Sequence, residues 1–211
     1  MIFQNRIDAG QKLAKALKEK LPESDLKKAI VLALPRGGVV VGGQLAQILK
    51  IPLDVIITRK IGAPGNPEFA IGAVGLKSNS IFNQEVIASY GISRDYLEKE
   101  IKKEKLEIMR RYDLYRRGKP PLNLRNKVAI VTDDGIATGA TMQAAILEIK
   151  LQKPAKIILA VPVAPPESID TLKAAVDEVV CLETSEPFFA IGNFYQNFQQ
   201  TEDKEVIEIL S

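Results

Sequence analysis

The feature that most restricts what this chain can fold into is a pair of unbroken apolar runs, residues 29–34 and 128–131, each stopped by a short turn that opens a helix. A strand with one face in water alternates apolar and polar residues. A run that is apolar at every position needs cover on both faces, the condition of a strand inside a parallel sheet with helices on either side. The flanking pattern agrees. Ile7, Leu13, Leu17 and Leu21, with Ala14, mark an amphipathic helix over 5–21 whose outer face is rich in lysine and which Pro22 and Glu23-Ser24-Asp25 end. A helix over 39–49 follows the first strand, with Gly38 and Gly42 allowing close backbone approach, and 53–58 reads as a second strand. Later come strand 127–132, helix 141–150, strand 156–161, helix 167–175 and strand 178–182. Strands alternating with helices of about ten residues predict an α/β fold: a mostly parallel twisted sheet flanked by helices, in one domain over 1–211.

Between these halves the pattern changes. Residues 61–68 (Ile-Gly-Ala-Pro-Gly-Asn-Pro-Glu) read as a Gly- and Pro-rich loop long enough to be a lid, and 69–92 as short strands and turns. Ser93 is placed to cap a long helix running to about Arg117. Leu97, Ile101, Ile108, Tyr112 and Tyr115 share one of its faces, and Glu98 with Lys102 and Glu107 with Arg111 form i,i+4 pairs. Lys119-Pro120-Pro121 ends this helical insertion, 93–119.

Two shortages narrow the chemistry. The chain has no histidine, which excludes Ser-His-Asp and Cys-His nucleophile systems, His-based acid–base catalysis and HExxH zinc sites. It has one cysteine, Cys181, so there is no disulfide framework, and its place in an apolar strand predicts burial. A formal net charge of +3 suits anionic small molecules as well as nucleic acid. The absence of Trp disfavours a base-stacking nucleic-acid surface, and the Lys and Arg of the 93–119 helix are diluted by acids. The start of the chain lacks a basic and then apolar leader, and no apolar run is long enough to span a bilayer. The expectation is a cytoplasmic protein that acts on small molecules.

The segment 131–141, Val-Thr-Asp-Asp-Gly-Ile-Ala-Thr-Gly-Ala-Thr, carries the most chemistry. It leaves the carboxyl end of a core strand, where ligands of open parallel sheets sit. Thr138, Gly139, Ala140 and Thr141 put backbone N–H groups and two hydroxyls around an anion at a helix N-terminus. Two acids beside a phosphate cradle would repel the phosphate unless they meet another part of the same ligand. A vicinal diol, whose hydroxyls are donors, meets that need, and phosphate plus diol describes ribose 5-phosphate. A Walker A loop and a G-x-G-x-x-G fingerprint are both absent. Pro35-Arg36-Gly37-Gly38 ends the first core strand and belongs to the same edge. Its glycines would let backbone approach a pyrophosphate and Arg36 would offer a fork of donors. Arg59 and Lys60 end the second strand and could neutralise the same group.

The 131–141 stretch resembles the phosphoribosyl-pyrophosphate (PRPP) motif of type I phosphoribosyltransferases: apolar strand residues, two acids, then G-x-x-T-G-x-T. The resemblance implies that Asp133 and Asp134 hold the ribose hydroxyls, while Gly135, Ala137, Thr138, Gly139, Ala140 and Thr141 complete the sugar and 5-phosphate site. In that family the loop equivalent to Pro35–Gly38 grips pyrophosphate and often carries a cis non-proline peptide, placed here around Pro35 to Gly37. Residues 62–72, the Leu34-Pro35-Arg36-Gly37-Gly38 run and 189–195 together resemble one poorly characterised branch, extending the likeness over nearly the whole chain. By resemblance, 183–200 forms a small C-terminal hood over an acceptor base. One of Phe188, Phe189, Phe194, Tyr195 or Phe198 would stack there, although aromatics are by default core residues.

The implied activity is transfer of the 5-phosphoribosyl group from PRPP to a nitrogenous acceptor with release of pyrophosphate, part of nucleotide metabolism. Asp133, Asp134, Arg36 and Lys60 are its candidate catalytic residues, and Pro35, Arg36, Gly37, Gly38, Arg59 and Lys60 its pyrophosphate site. Mg²⁺ is expected to arrive with PRPP and to be bound mainly through it, with no direct protein ligand assigned. Expected partners are PRPP and a small acceptor, with a homodimer left open. Two rival readings are a PRPP- or nucleotide-binding regulator without turnover, and a phosphohydrolase using an acid-pair metal site. The second would need further carboxylates at strand ends, where this chain has Pro, Arg and Thr.

Overall fold

The computed structural model describes residues 3–120 and 123–211. Asn5 accepts a 3.0 Å bond from the Asp8 N–H and so starts α1 (Arg6–Lys20), which a short α2 (Glu23–Leu26) follows. Strand β1 (Ala29–Ala33) leads into α3 (Gly37–Leu49) and then β2 (Leu53–Val55). Next come β3 (Arg59–Ala63), β4 (Asn66–Val74), β5 (Ile81–Phe82), α4 (Gln84–Ser89) and α5 (Arg94–Arg116). The second half alternates β6 (Val128–Thr132), α6 (Ala140–Lys150), β7 (Lys156–Ala164), α7 (Pro166–Lys173) and β8 (Glu178–Thr184). A 3-10 turn (Ile191–Phe194) and α8 (Asp203–Leu210) finish the chain.

Five strands form one parallel sheet in the order β2-β1-β6-β7-β8. The unbroken apolar runs are explained by its two covered faces. On one, Ile30, Leu32, Ala129, Val131, Ile157, Leu159 and Val161 pack with Met142, Ile146 and Ile149 of α6 and Leu172 of α7. On the other, the alternate residues Val31, Val128, Ile130, Ile158 and Ala160 pack with Leu13 and Leu17 of α1 and Val41 and Leu45 of α3. Gly42 performs the expected close approach: a Cβ there would stand 2.8 Å from the Ala33 Cβ.

Several expectations are corrected. The second strand stops at Val55 instead of 58. The supposed lid at 61–68 is a β-hairpin: β3 and β4 pair antiparallel and β5 adds a third strand. Pro64 and Gly65 make its two-residue tip, with Gly65 at φ 75°, the combination a type II turn requires. Within 69–92, residues 84–89 are helical, and α8 had no sequence signal. Ile7 is exposed on α1 although Leu13, Ala14, Leu17 and Leu21 are buried. Ser93 does cap α5, accepting from the Tyr96 N–H at 3.3 Å, and Glu107 pairs with Arg111 at 2.7 Å, but Glu98 pairs with Arg94 rather than Lys102 among the described residues. Pro121 lies outside the described residues. Cys181 is only half-buried, and its burial pushes the thiol up to about 11. No helix among the described residues is long and apolar enough to cross a membrane.

Candidate functional site

The carboxyl edge of the parallel sheet collects the turns after β1, β6, β7 and β8. The Leu34 N–H donates to the Thr132 carbonyl at 2.9 Å, which sets the Pro35–Gly38 turn beside Asp133 and Asp134. The contact is intimate. A Cβ on Gly38 would lie 2.8 Å from both the Asp133 Cα and Oδ1, and one on Gly37 only 1.9 Å from the Asp134 Oδ2. The two glycines are therefore required by the packing of one loop on the other. The Pro35–Arg36 peptide is cis, within the interval expected for it.

Gly139 caps α6 from the left-handed region, φ 77°, and has no side chain to occupy the first-turn N–H groups. That leaves a helix N-terminus open to an anion beside two hydroxyls, Thr138 and Thr141. Thr138 and Ala137 are exposed at the mouth, while Gly139 is buried. The Ser168 hydroxyl donates to the Ala137 carbonyl at 2.6 Å and the Thr58 hydroxyl to the Thr141 carbonyl at 3.0 Å, so α7 and the segment before β3 brace the loop from both sides.

The acid pair is asymmetric. Asp134 is buried, and its Oδ2 accepts from the Arg6 Nε at 2.7 Å. Its carbonyl accepts from the Tyr195 hydroxyl at 2.5 Å, and its N–H donates to the Asp133 Oδ1 at 2.8 Å. Asp133 keeps part of its surface exposed. Its carboxyl lies well above the usual range, because burial by the surrounding protein disfavours its charge and Asp134 repels it. Tyr195 is pushed far up for the first of these reasons, with Asp134 adding to it.

Of the basic residues read from the sequence, Arg36 lies at the start of α3 and reaches Asp203 of α8 at 3.8 Å, part-exposed. Asp203 also accepts from the Tyr115 hydroxyl at 2.6 Å. Arg59 is held by Glu104 of α5 at 2.7 Å, while Lys60 is exposed on β3. Pro35–Gly38 and the acid pair are thus brought together, whereas Arg59 faces α5. Sequence reasoning missed Arg6, Tyr195 as a partner of the loop, and Asp203. Each contact spans more than sixty residues and leaves no local pattern.

Two cavities matter. One of about 460 Å³ opens beside the loop between Ala137, Thr138, Pro165, Glu167, Glu186 and Phe189, whose ring is 81% exposed. Glu186 and Pro187 are joined by a cis bond. The other, about 530 Å³, lies between α5, α6 and β2, and no residue of the 133–141 loop lines it. No group of three or more His, Cys, Asp or Glu able to hold a metal ion occurs among the described residues.

A parallel α/β sheet with two apposed turns and an open helix N-terminus at its carboxyl edge has the architecture in which open α/β sheets place their ligand sites. A family model described as the phosphoribosyl transferase domain matches residues 2–196, and the chain belongs to that family. It is 39% identical over 209 residues to a Mycobacterium tuberculosis protein named "Putative phosphoribosyl transferase MT0597", covering 99% of this chain and 46% of the relative. The chain therefore spans about half the length of the curated relatives it matches. Among solved structures, the protein TT1426 from Thermus thermophilus superposes with a TM-score of 0.80 at 40% identity, covering 100% of this chain and 98% of that one. A hypoxanthine phosphoribosyltransferase from Staphylococcus aureus shares the fold alone, with a TM-score of 0.51 at 10% identity over 89% of this chain and 78% of that one.

Proposed function

We propose that the chain transfers the 5-phosphoribosyl group of PRPP to the nitrogen of a nucleobase-like acceptor and releases pyrophosphate. The observation that carries this reading is the uncapped N-terminus of α6 immediately beside an acid pair, at the edge where the Pro35–Gly38 turn also converges. The 5-phosphate sits on the first-turn N–H groups with the Thr138 and Thr141 hydroxyls. The acid side of the loop receives the ribose hydroxyls. The Pro35–Gly38 backbone and Arg36 take the pyrophosphate, with Arg36 exchanging its long contact to Asp203 for a shorter one to the ligand. Lys60, exposed on β3, is the further cation assigned to the same group.

Displacement at C1 spreads positive charge over the sugar ring and negative charge onto the leaving group. The chain's contribution is position and electrostatics: a carboxylate near the sugar, cations near the pyrophosphate, and exclusion of water. Mg²⁺ bound with PRPP supplies charge neutralisation on the pyrophosphate. Hard oxygen donors suit this ion, which would be carried mainly by the ligand's own oxygens. The acceptor seats in the cavity beside Ala137 and Thr138 under a hood formed by 183–200, where Phe189 offers a ring face and the lining contains no Lys or Arg. Labelled PRPP incubated with Mg²⁺ and a panel of bases tests this: acceptor-dependent pyrophosphate release supports transfer. Binding without release would make the protein a PRPP-responsive regulator instead.

A further inference from the structure

Arg6 is fixed by the way the segment before α1 pairs with the segment around Tyr195. The Phe3 N–H donates to the Phe194 carbonyl at 2.7 Å, the Gln196 N–H to the Phe3 carbonyl at 2.8 Å, and the Asn197 N–H to the Gln4 carbonyl at 2.9 Å. Asn5 then starts α1, which leaves Arg6 as its first residue, above the acid loop. Its guanidinium is held from three sides. Nε donates to the Asp134 Oδ2 and Nη1 to the Gln199 carbonyl, each at 2.7 Å, and the group lies 3.8 Å over the Phe198 ring. The paired side chains are only 11% and 12% exposed. Phe198 in turn packs 4.9 Å from Tyr195, whose hydroxyl holds the Asp134 backbone.

This arrangement divides the labour of the acid pair. Asp134 is engaged at its N–H, its carbonyl and one carboxylate oxygen, and it faces Gly37, where even a methyl group would collide. Asp133 accepts from the Asp134 N–H through Oδ1, its carboxyl lies against that of Asp134, and it is the more exposed of the two. We propose that Arg6 is a positioning residue of the sugar site: it commits Asp134 to the fold, and it leaves Asp133 as the single carboxylate that receives the ribose hydroxyls. The charge argument points the same way. Two adjacent carboxylates in one enclosed space favour protonation of one of them unless a cation compensates. The titratable and charged groups around Asp133 are Asp134 on its own loop, Arg6 from α1 and the Tyr195 phenol from the hood, and only Arg6 favours the ionised form.

The inference rests on the phosphoribosyl reading for its ligand, so its test has one arm with PRPP and one without. In the first, PRPP with Mg²⁺ is titrated into Asp133→Asn, Asp134→Asn and the uncharged pair Arg6→Gln/Asp134→Asn. Loss of a charge-assisted ligand contact weakens binding by roughly tenfold to a hundredfold. That loss is expected for Asp133→Asn. The double variant, which leaves no unpaired buried charge, loses less affinity than Asp133→Asn. In the second arm, a ¹³C-carboxyl titration of Asp133 in the unliganded protein shifts upward by about one pH unit in Arg6→Gln and returns toward the wild type in Arg6→Lys. A purely structural role would lower the melting temperature and leave that titration in place. The proposal is overturned if the double variant loses as much affinity as Asp133→Asn, or if the Asp133 titration ignores Arg6. A wild-type protein that fails to bind PRPP removes the phosphoribosyl reading, while the titration still decides whether Arg6 sets the charge of the pair.

Discussion

Gly37→Ala concentrates the consequences of the site's packing in one methyl group. The new Cβ would stand 1.9 Å from the Asp134 Oδ2, 2.7 Å from its Cγ and 2.6 Å from the Arg6 Nε. All three neighbours belong to an ion pair that is itself 2.7 Å long and nearly buried. Room for the methyl requires a movement of more than about 1 Å, by the loop, the carboxylate or the guanidinium. Overpacking a tight interior costs about 1–3 kcal/mol. Pulling apart a pair this enclosed adds up to about 2 kcal/mol more, a figure discounted from fully buried cases because Arg6 retains the Gln199 carbonyl and the Phe198 ring. At roughly 2–4 °C per kcal/mol for a chain of this size, the melting midpoint falls by about 2–20 °C. Differential scanning calorimetry measures this, and PRPP titration on the same sample should show weakened binding. Gly43→Ala on the same helix is the control. Its Cβ meets only one Ile209 methyl carbon, at 2.8 Å, and gains helix propensity, so its midpoint stays near or above the wild type. A Gly37→Ala protein melting within about 2 °C of the wild type would refute the packing argument.

Three further outcomes follow from the same contacts. Asp133 is raised above its unfolded value, so its ionised form opposes folding at neutral pH; Asp133→Asn should raise the urea midpoint at pH 7 even as it weakens PRPP binding, and a lower midpoint would contradict the burial argument. Tyr112 and Tyr115 are pushed up to about 12 by burial, with the Asp203 hydrogen bond adding to Tyr115. Their folded values exceed the unfolded one near 10, so the stability they contribute is intact below about pH 10 and lost as pH rises from about 10 through 12; denaturation midpoints across that window should fall, less steeply in Tyr115→Phe. Thr132 is fully buried at the end of β6 and its hydroxyl lacks a partner among the described residues; Thr132→Val should match or exceed the wild type in chemical denaturation, because it removes an unpaired polar group at nearly constant volume.

What the sequence revealed and concealed divides along physical lines. The parallel sheet was legible because burial on both faces removes polar residues from a strand altogether, a signal that β1, β6 and β7 carry over consecutive positions. The Gly-Thr turn was legible because an open helix N-terminus needs particular residues at fixed spacing. The hairpin of β3 and β4 was hidden by its glycines and prolines, which suggested a loose loop. In the structure these glycines admit close strands. A Cβ on Gly62 would meet the Pro67 carbonyl oxygen at 2.4 Å, and one on Gly72 the Ile81 carbonyl oxygen at 2.3 Å. Helix α8 offered only one fully buried residue, Val206, and so little periodicity to read. The Arg6–Asp134 pair joins positions 128 residues apart, and neither neighbourhood hints at the other.

The central claim is that the loop from Asp133 to Thr141 holds the sugar-phosphate of PRPP. Isothermal titration of PRPP with Mg²⁺ into the wild-type protein and into Asp133→Asn addresses it most directly. The account predicts saturable binding of one PRPP per chain in the wild type and binding weakened by roughly tenfold to a hundredfold in the variant, with both proteins folded by circular dichroism. Absence of binding to the wild type, or equal binding to both, would contradict it.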